Sequence, residues 1–207
     1  MKTVRVLDVP FVDATAESVA PFGVLVHDRV TSAMDIPYYR GRVIEGGDLG
    51  FRYNGRACLR TAQVLPGDPT VAWLERHLLL TQLFVGLGGS EFSMVLAPPN
   101  HETGADLPDL SAAVALRFRP GSALLLHVGT WHDFPLATDG PVTLLIANSQ
   151  EVVDALQAAG RPRELHEGDV HKISLADRFG VCLRPVVLGD HGVQRDPHQR
   201  RPHRASG

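Results

Sequence analysis

The sequence predicts an all-β fold, a barrel or sandwich of about ten short strands, on the basis of three observations. The 20 glycines and 15 prolines are spread along the 207 residues instead of being clustered. Between them lie apolar runs of the length of single strands. Helical signals are few and do not alternate with strands as in a doubly wound α/β fold. Many short strands at regular spacing are typical of barrels and sandwiches.

Seven apolar runs bounded by turn residues are predicted to be strands. They are VRVLDV from Val4, ACLRTAQVL from Ala57, QLFVGL from Gln82, EFSMVLAP from Glu91, AAVALRF from Ala112, SALLLHV from Ser122 and PVTLLIA from Pro141. Turn-forming triplets such as PGD at 66–68 and DGP at 139–141 lie between them. The chain is therefore expected to cross the fold many times in short steps.

Two short helices are expected. One covers Thr15–Ala20, where Thr15 is a good N-cap and Pro21 follows directly. The other covers Glu151–Ala159, where apolar residues recur at helical period and Gly160 provides a C-terminal stop.

The length suits a single domain, predicted over residues 1–188. Residues 189–207 contain four arginines, three histidines and no apolar cluster, and they are predicted to form a flexible C-terminal tail. A basic tail could bind an anionic partner, but an ordinary solvated terminus is the simpler interpretation.

Charge and composition argue against several classes of partner. A formal net charge of −3 gives no reason to expect a nucleic-acid partner. No apolar run has the roughly 18 residues needed to cross a bilayer, and the first residues lack the apolar core of a signal peptide. Cys58 and Cys182 are expected to be free thiols. These features predict a soluble, cytoplasmic protein without a membrane partner.

Polar residues recur at a particular spacing in two parts of the chain. Glu75 and His77 are separated by one residue, Gln82 follows them, and His132 follows a turn at Gly129. Because alternate residues of a strand point to the same face, Glu75 and His77 can both enter a barrel interior. The four polar side chains are therefore expected to converge in an otherwise apolar cup.

The first of these segments resembles the first motif of the cupin superfamily, H-x-H, three or four residues, E, six residues, G. Glu75 stands in place of the first histidine and Gln82 in place of the glutamate, whereas His77 and Gly89 match the motif.

The second segment resembles the second cupin motif, G, five residues, P-x-G, two residues, H, three residues, N. Gly121, Gly129 and His132 match it, His127 replaces the proline and Leu136 replaces the asparagine. The two motifs together imply a cupin-type β-barrel, also called a double-stranded β-helix or jelly roll, with a few short helices.

A narrower resemblance is to the ureidoglycolate lyase family, also called ureidoglycolate hydrolase. Residues 74–84 are similar to its E-R-H-P-x-x-x-Q-x-F signature, 92–98 to its F-x-V-V-V-A-P strand, and 127–136 to its H-x-x-x-W-H-x-P-L run. The similarity extends over about 14–146. Leu78 departs from the signature's proline, the family's I-N-x-G segment has no clear counterpart, and residues beyond about 150 are additional.

The resemblance implies a carbon–nitrogen lyase of the amidine-lyase type, which cleaves ureidoglycolate to glyoxylate and urea in purine (allantoin) catabolism. A base must take the hydroxyl proton, and His127 or His132 is suited to that task. An acid must protonate the departing urea nitrogen, and Glu75 could do so if burial raised its pKa.

The substrate implied by the resemblance is a small carboxylate, so a cation is expected to hold it. Arg76, Arg117 or Arg119 could do so bidentately, although each could equally be a solvated surface charge. Trp131 could form an aromatic wall for the substrate or pack within the barrel. Tyr39 could close over the pocket or pack at a subunit contact.

A divalent metal ion is the expected cofactor, held by His77, Gln82 and His132 with Glu75 as a further candidate ligand. Such a mixed set suits Mn, Fe, Ni or Zn without selecting among them. A homodimer is implied by the resemblance alone. Two other functions stay open: a metal-dependent cupin isomerase or oxygenase acting on another small carboxylate, and a non-catalytic small-molecule-binding cupin.

Overall fold

A computed structural model describes residues 3–27, 29–30, 34 and 36–187. Within these residues the strands are β1 (Arg5–Asp13), β2 (Gly23–Val26), β3 (Ala57–Val64), β4 (Trp73–Arg76), β5 (Leu83–Leu87), β6 (Phe92–Ala97), β7 (Val114–Phe118), β8 (Ala123–Leu126), β9 (Trp131–His132), β10 (Leu136–Ala137), β11 (Val142–Ser149), β12 (Leu165–Glu167), β13 (Val170–Ser174) and β14 (Val181–Val186). The helices are α1 (Ala16–Val19), α2 (Gln150–Ala158) and α3 (Leu175–Phe179). The predicted tail at 189–207 lies outside the described residues.

The strands form two sheets, and the prediction of an all-β fold is confirmed. The nine-stranded sheet runs β12-β13-β4-β9-β6-β7-β1-β14, with β10 also paired to β6, and the five-stranded sheet runs β2-β8-β5-β11-β3. Among the described strands, the only parallel pairs are β1 with β7 and β1 with β14. All seven predicted strands are present. The described residues contain 14 strands instead of about ten, in part because β9 and β10, with two residues each, were not predicted.

Both faces of the larger sheet are buried against apolar residues. One core, between the two sheets, contains Phe84, Phe92, Leu96 and Leu144. The other core lies on the opposite face of the larger sheet and includes Leu74, Trp131 and Leu183. Val71, just ahead of β4, exchanges two backbone hydrogen bonds with Leu183 on β14, so the larger sheet curves back on itself around the second core.

Both predicted helices are confirmed. The Thr15 hydroxyl accepts a hydrogen bond from the Ser18 amide, and the Ser18 hydroxyl accepts one from the Thr15 amide, which satisfies the first turn of α1. The Ser149 hydroxyl caps α2, and Gly160 follows its end at a φ of 66°. None of the described helices is long and apolar enough to span a membrane.

Candidate functional site

Strand pairing brings the two polar segments of the sequence together. Glu75 on β4 lies directly opposite His132 on β9, and His132 lies opposite Leu96 on β6. Because directly opposed residues share a face, both polar side chains point toward the core between the two sheets. There the His132 ring makes an edge contact with Phe84, at 6.2 Å between ring centroids.

Four polar groups converge at this point, and we call them the polar cluster: Glu75, His77, Gln82 and His132. The Glu75 Oε1 atom lies 3.9 Å from His77 Nε2 and 3.8 Å from His132 Nε2. His132 Nε2 lies 3.0 Å from Gln82 Oε1. All four residues are buried.

Backbone carbonyls determine which nitrogen of each imidazole carries the proton. His77 Nδ1 lies 2.7 Å from the carbonyl oxygen of Asp169, and His132 Nδ1 lies 2.9 Å from that of Thr130. A carbonyl oxygen only accepts hydrogen bonds, so each ring donates its Nδ1–H and its Nε2 carries a lone pair. The Nε2 atom of His77 is buried without a hydrogen-bond partner. The polar cluster therefore presents electron pairs, with no proton between them.

The surroundings keep Glu75 and His132 deprotonated at neutral pH. Burial alone would raise the pKa of Glu75, but the Lys172 ammonium group, whose Nζ lies 3.0 Å from Oε2, lowers it below its ordinary value. Burial and the neighbouring His77 lower the pKa of His132 to about 4. Burial raises the pKa of Asp133, which lies 3.7 Å from the same ammonium group.

These donors have the chemistry of a metal site. The ligand atoms of Glu75, His77 and His132 all lie within 4.8 Å of one another. A carboxylate with two neutral imidazoles, each fixed by a hydrogen bond at its other nitrogen, is a set that binds divalent cations in proteins. A cation would also satisfy the buried lone pair of His77. This buried Glu-His-His group could therefore hold a metal ion.

Two residues of the polar cluster open into a cavity of about 300 Å³. Its charged lining residues are Glu75 and Arg60, and Gln82 also contributes. The rest of its lining is Thr61, Ala62, Phe134, Ile146, Asn148, Val153, Leu156 and Gln157. The cavity thus has apolar walls, a few amides, one anion and one cation, which suits a small polar ligand that carries a negative charge.

Comparison with known proteins identifies the family. The family model for ureidoglycolate lyase matches residues 8–165. The chain belongs to the ureidoglycolate lyase family. A curated ureidoglycolate lyase from Pseudomonas syringae pv. syringae (strain B728a) is 37% identical over 71 residues, which cover 34% of this chain and 39% of that relative. A solved dTDP sugar isomerase from Desulfovibrio desulfuricans G20 superimposes with a TM-score of 0.36 at 21% identity, over 62% of this chain and 79% of the isomerase.

Two residues that were expected to bind substrate lie on the face of the sheet opposite the polar cluster. Arg76 and Trp131 are the strand neighbours of Glu75 and His132, so they point to the opposite core. The Arg76 guanidinium stacks 4.5 Å over the Trp131 ring and donates to the carbonyl oxygen of Ala105 at 2.8 Å. Burial lowers the pKa of Arg76, although Asp106 partly compensates. This pair stabilises the sheet and does not reach the cavity.

His127 is also separate from the polar cluster. It follows the last residue of β8, is exposed, and lines a different cavity of about 510 Å³ together with His101 and Arg52. The structure therefore places His127 at a different cavity from the one that Glu75 and Gln82 line.

The remaining predicted substrate contacts are absent from the cavity lining. Arg117 lies over the ring of Phe11, at 5.0 Å, and Arg119 is exposed beyond the end of β7. Tyr39 belongs to a 3-10 turn, Pro37–Tyr39, and its side chain is 48% exposed. None of the three is among the described residues that line the cavity.

The structure adds three residues that the sequence did not reveal. Lys172 and Asp169 reach the polar cluster from the hairpin β12–β13, and Arg60 reaches the cavity from β3. A signal for Lys172 was present in the composition: the chain has 18 arginines and only two lysines, Lys2 and Lys172. A lysine supplies a compact ammonium group, which suits a close contact with a single carboxylate oxygen.

Proposed function

We propose that the protein is a ureidoglycolate lyase that cleaves the carbon–nitrogen bond of ureidoglycolate to give glyoxylate and urea. The observation that carries this proposal is the opening of the polar cluster into a cavity whose charged residues are one carboxylate and one guanidinium. Family membership supports the same activity. The test is glyoxylate release from each enantiomer of ureidoglycolate by the purified protein.

The reaction moves one proton. The substrate hydroxyl loses it as the carbonyl forms, the bond from carbon to the ureido nitrogen breaks, and that nitrogen gains a proton to leave as urea. Glu75 is the acceptor for the hydroxyl proton, because it lines the cavity and its lowered pKa keeps it ionised at neutral pH. Once protonated, the same carboxyl group is a donor for the departing nitrogen. The earlier assignment of Glu75 as an acid with a raised pKa is replaced by this relay.

His132 is a ligand in this scheme and not the base. Its pKa of about 4 makes the imidazole a weak base, and its Nε2 lone pair faces the polar cluster. His77 and His132, with the Gln82 amide oxygen, would hold a divalent ion, and the Glu75 Oε1 atom faces the same point. When bound there, the ion would lower the pKa of a coordinated hydroxyl group, so that a carboxylate of lowered pKa suffices to deprotonate it.

Arg60 takes the place of the three arginines considered from the sequence as the anchor of the substrate carboxylate. It lies opposite Ile146 across the pairing of β3 with β11 and lines the same cavity as Glu75. A guanidinium at that wall can bind a carboxylate in bidentate fashion while the hydroxyl and ureido groups extend toward the polar cluster.

We expect Arg60→Gln to raise the KM for ureidoglycolate by roughly 10- to 100-fold and to change kcat much less, because a hydrogen bond to a charged group contributes about 1.5–3 kcal/mol. Initial rates of glyoxylate release over a range of substrate concentrations measure both constants. Arg5→Gln, at an exposed position of β1, is the matched control and should keep both constants. An unchanged KM in Arg60→Gln would exclude Arg60 as the anchor.

The other family-based expectations are part of the same proposal. We infer that residues 1–188 act as one domain, that the protein is a cytoplasmic homodimer, and that its chemistry belongs to purine catabolism. Sedimentation of the purified protein tests the dimer.

A further inference from the structure

We propose that Asp169 is a positioning residue that fixes His77 for metal binding, acting from a hairpin that begins where the family match ends. The hairpin consists of β12, a turn at Gly168–Asp169, and β13, whereas the family model matches only as far as residue 165. The inference rests on the metal-binding part of the proposed function.

Strand pairing places the hairpin directly beside the polar cluster. β13 is antiparallel to β4, with Lys172 opposite Glu75 and His171 opposite Arg76. The Lys172 ammonium group donates a hydrogen bond to the Oε2 atom of Glu75, so the Oε1 atom faces the two histidines. The turn of the hairpin then reaches the segment that follows β4, where His77 lies.

Asp169 attaches the turn to that segment through both its backbone and its side chain. Its carbonyl oxygen accepts the Nδ1–H of His77 at 2.7 Å. Its carboxylate accepts backbone N–H groups from Leu78, at 2.8 Å, and Leu79, at 3.1 Å. The carboxylate thus holds the two residues after His77, while the carbonyl holds the imidazole ring in one orientation and one tautomer.

Close packing against α2 also holds the turn at Gly168–Asp169 in place. A Cβ atom at Gly168 would lie 2.6 Å from the carbonyl oxygen of Glu151 on α2, so the backbone there packs closely against the helix. Asp169 itself has a φ of 64°, a left-handed conformation that aspartate adopts more readily than most other non-glycine residues. Aspartate therefore suits this turn, and its carboxylate reaches the two backbone N–H groups that follow His77.

Hydrogen bonds to the outer nitrogen of a metal-binding histidine typically change metal affinity by about 10- to 100-fold. Asp169→Gly removes the carboxylate, and its backbone conformation suits the turn, so the hairpin should still fold. The variant keeps the backbone carbonyl that accepts from His77 Nδ1 and loses only the carboxylate that holds the turn to the segment after His77. We therefore expect it to bind Co²⁺ about 10-fold more weakly than the wild type, at the lower end of that range, and to show an altered Co²⁺ absorption spectrum.

The experiment is a Co²⁺ titration of chelator-treated protein, followed by absorbance and accompanied by thermal melts. Asp169→Asn keeps a side-chain oxygen acceptor and should restore most of the affinity. Asp109→Ala is the matched control, because the Asp109 carboxylate also accepts a backbone N–H in a turn, that of Ser111, and makes none of the described contacts of the polar cluster. It should lower the melting temperature without changing Co²⁺ affinity.

Equal Co²⁺ affinities in the wild type and Asp169→Gly would overturn the positioning role, as would a wild type that binds no Co²⁺. Glyoxylate release, measured on the same preparations, separates this inference from the proposed function. A wild type that binds Co²⁺ more tightly than Asp169→Gly but releases no glyoxylate supports the positioning role and contradicts the lyase assignment.

Discussion

His132→Ala is expected to lower glyoxylate release from ureidoglycolate by about 100-fold or more. His132 is buried, its Nδ1–H donates to the Thr130 carbonyl, and its Nε2 lone pair lies between Glu75 and Gln82. Removal of the ring takes away one of the two imidazole groups that could hold the ion. The Co²⁺ affinity of this variant should therefore fall together with its turnover.

Thermal melting distinguishes loss of the site from loss of the fold. Truncation leaves a cavity beside Phe84, so the melting temperature should fall while the cooperative transition persists. His166→Ala, at an exposed position of β12, is the control and should retain turnover. Wild-type turnover in His132→Ala would rule out the polar cluster as the lyase site.

Glu75→Gln is the second substitution with a large expected effect. It keeps the size of the side chain but removes the charge and the proton acceptor, so turnover should fall by about 100-fold or more. Co²⁺ affinity then decides what Glu75 does. Affinity close to that of the wild type identifies Glu75 as the proton acceptor alone, whereas a parallel loss of affinity identifies it as a metal ligand as well.

The stability of Glu75→Gln should change much less than its activity. The Lys172 ammonium loses its partner at 3.0 Å but keeps Asp133 at 3.7 Å, and its side chain is 20% exposed to water. We expect a loss of about 1–2 kcal/mol, below the usual cost of breaking a fully buried ion pair. Glu167→Gln, on the exposed part of β12, is the control. A strongly destabilised Glu75→Gln protein with normal turnover would assign Glu75 a structural role only.

The fold was predictable because its main strands are apolar runs between glycine and proline residues. The β5, β8 and β11 segments satisfy that pattern throughout, and the caps at Thr15 and Gly160 marked the two predicted helices. The two-residue strands β9 and β10 could not be found in this way, because so short a segment has no periodicity. The five-residue helix α3 is also too short to be recognised without its tertiary contacts.

The site was predictable where strand alternation determines it. That rule placed Glu75 and His77 on one face, and its consistent application also places Arg76 on the other face. Pairing between distant strands supplied what alternation could not. Lys172 meets Glu75 only because β13 pairs with β4, and Arg60 meets the cavity only because β3 pairs with β11.

The central claim is that the polar cluster, loaded with one divalent ion, cleaves ureidoglycolate. It is tested most directly by glyoxylate release from each enantiomer, measured on the protein as purified, after chelation, and after reconstitution with Mn, Fe, Ni or Zn ions while the bound metal is quantified by elemental analysis. We predict release from one enantiomer, its loss on chelation, and its recovery as bound metal approaches one ion per chain. The claim would be contradicted if the protein, loaded with one ion per chain of each of these metals in separate preparations, released glyoxylate from neither enantiomer.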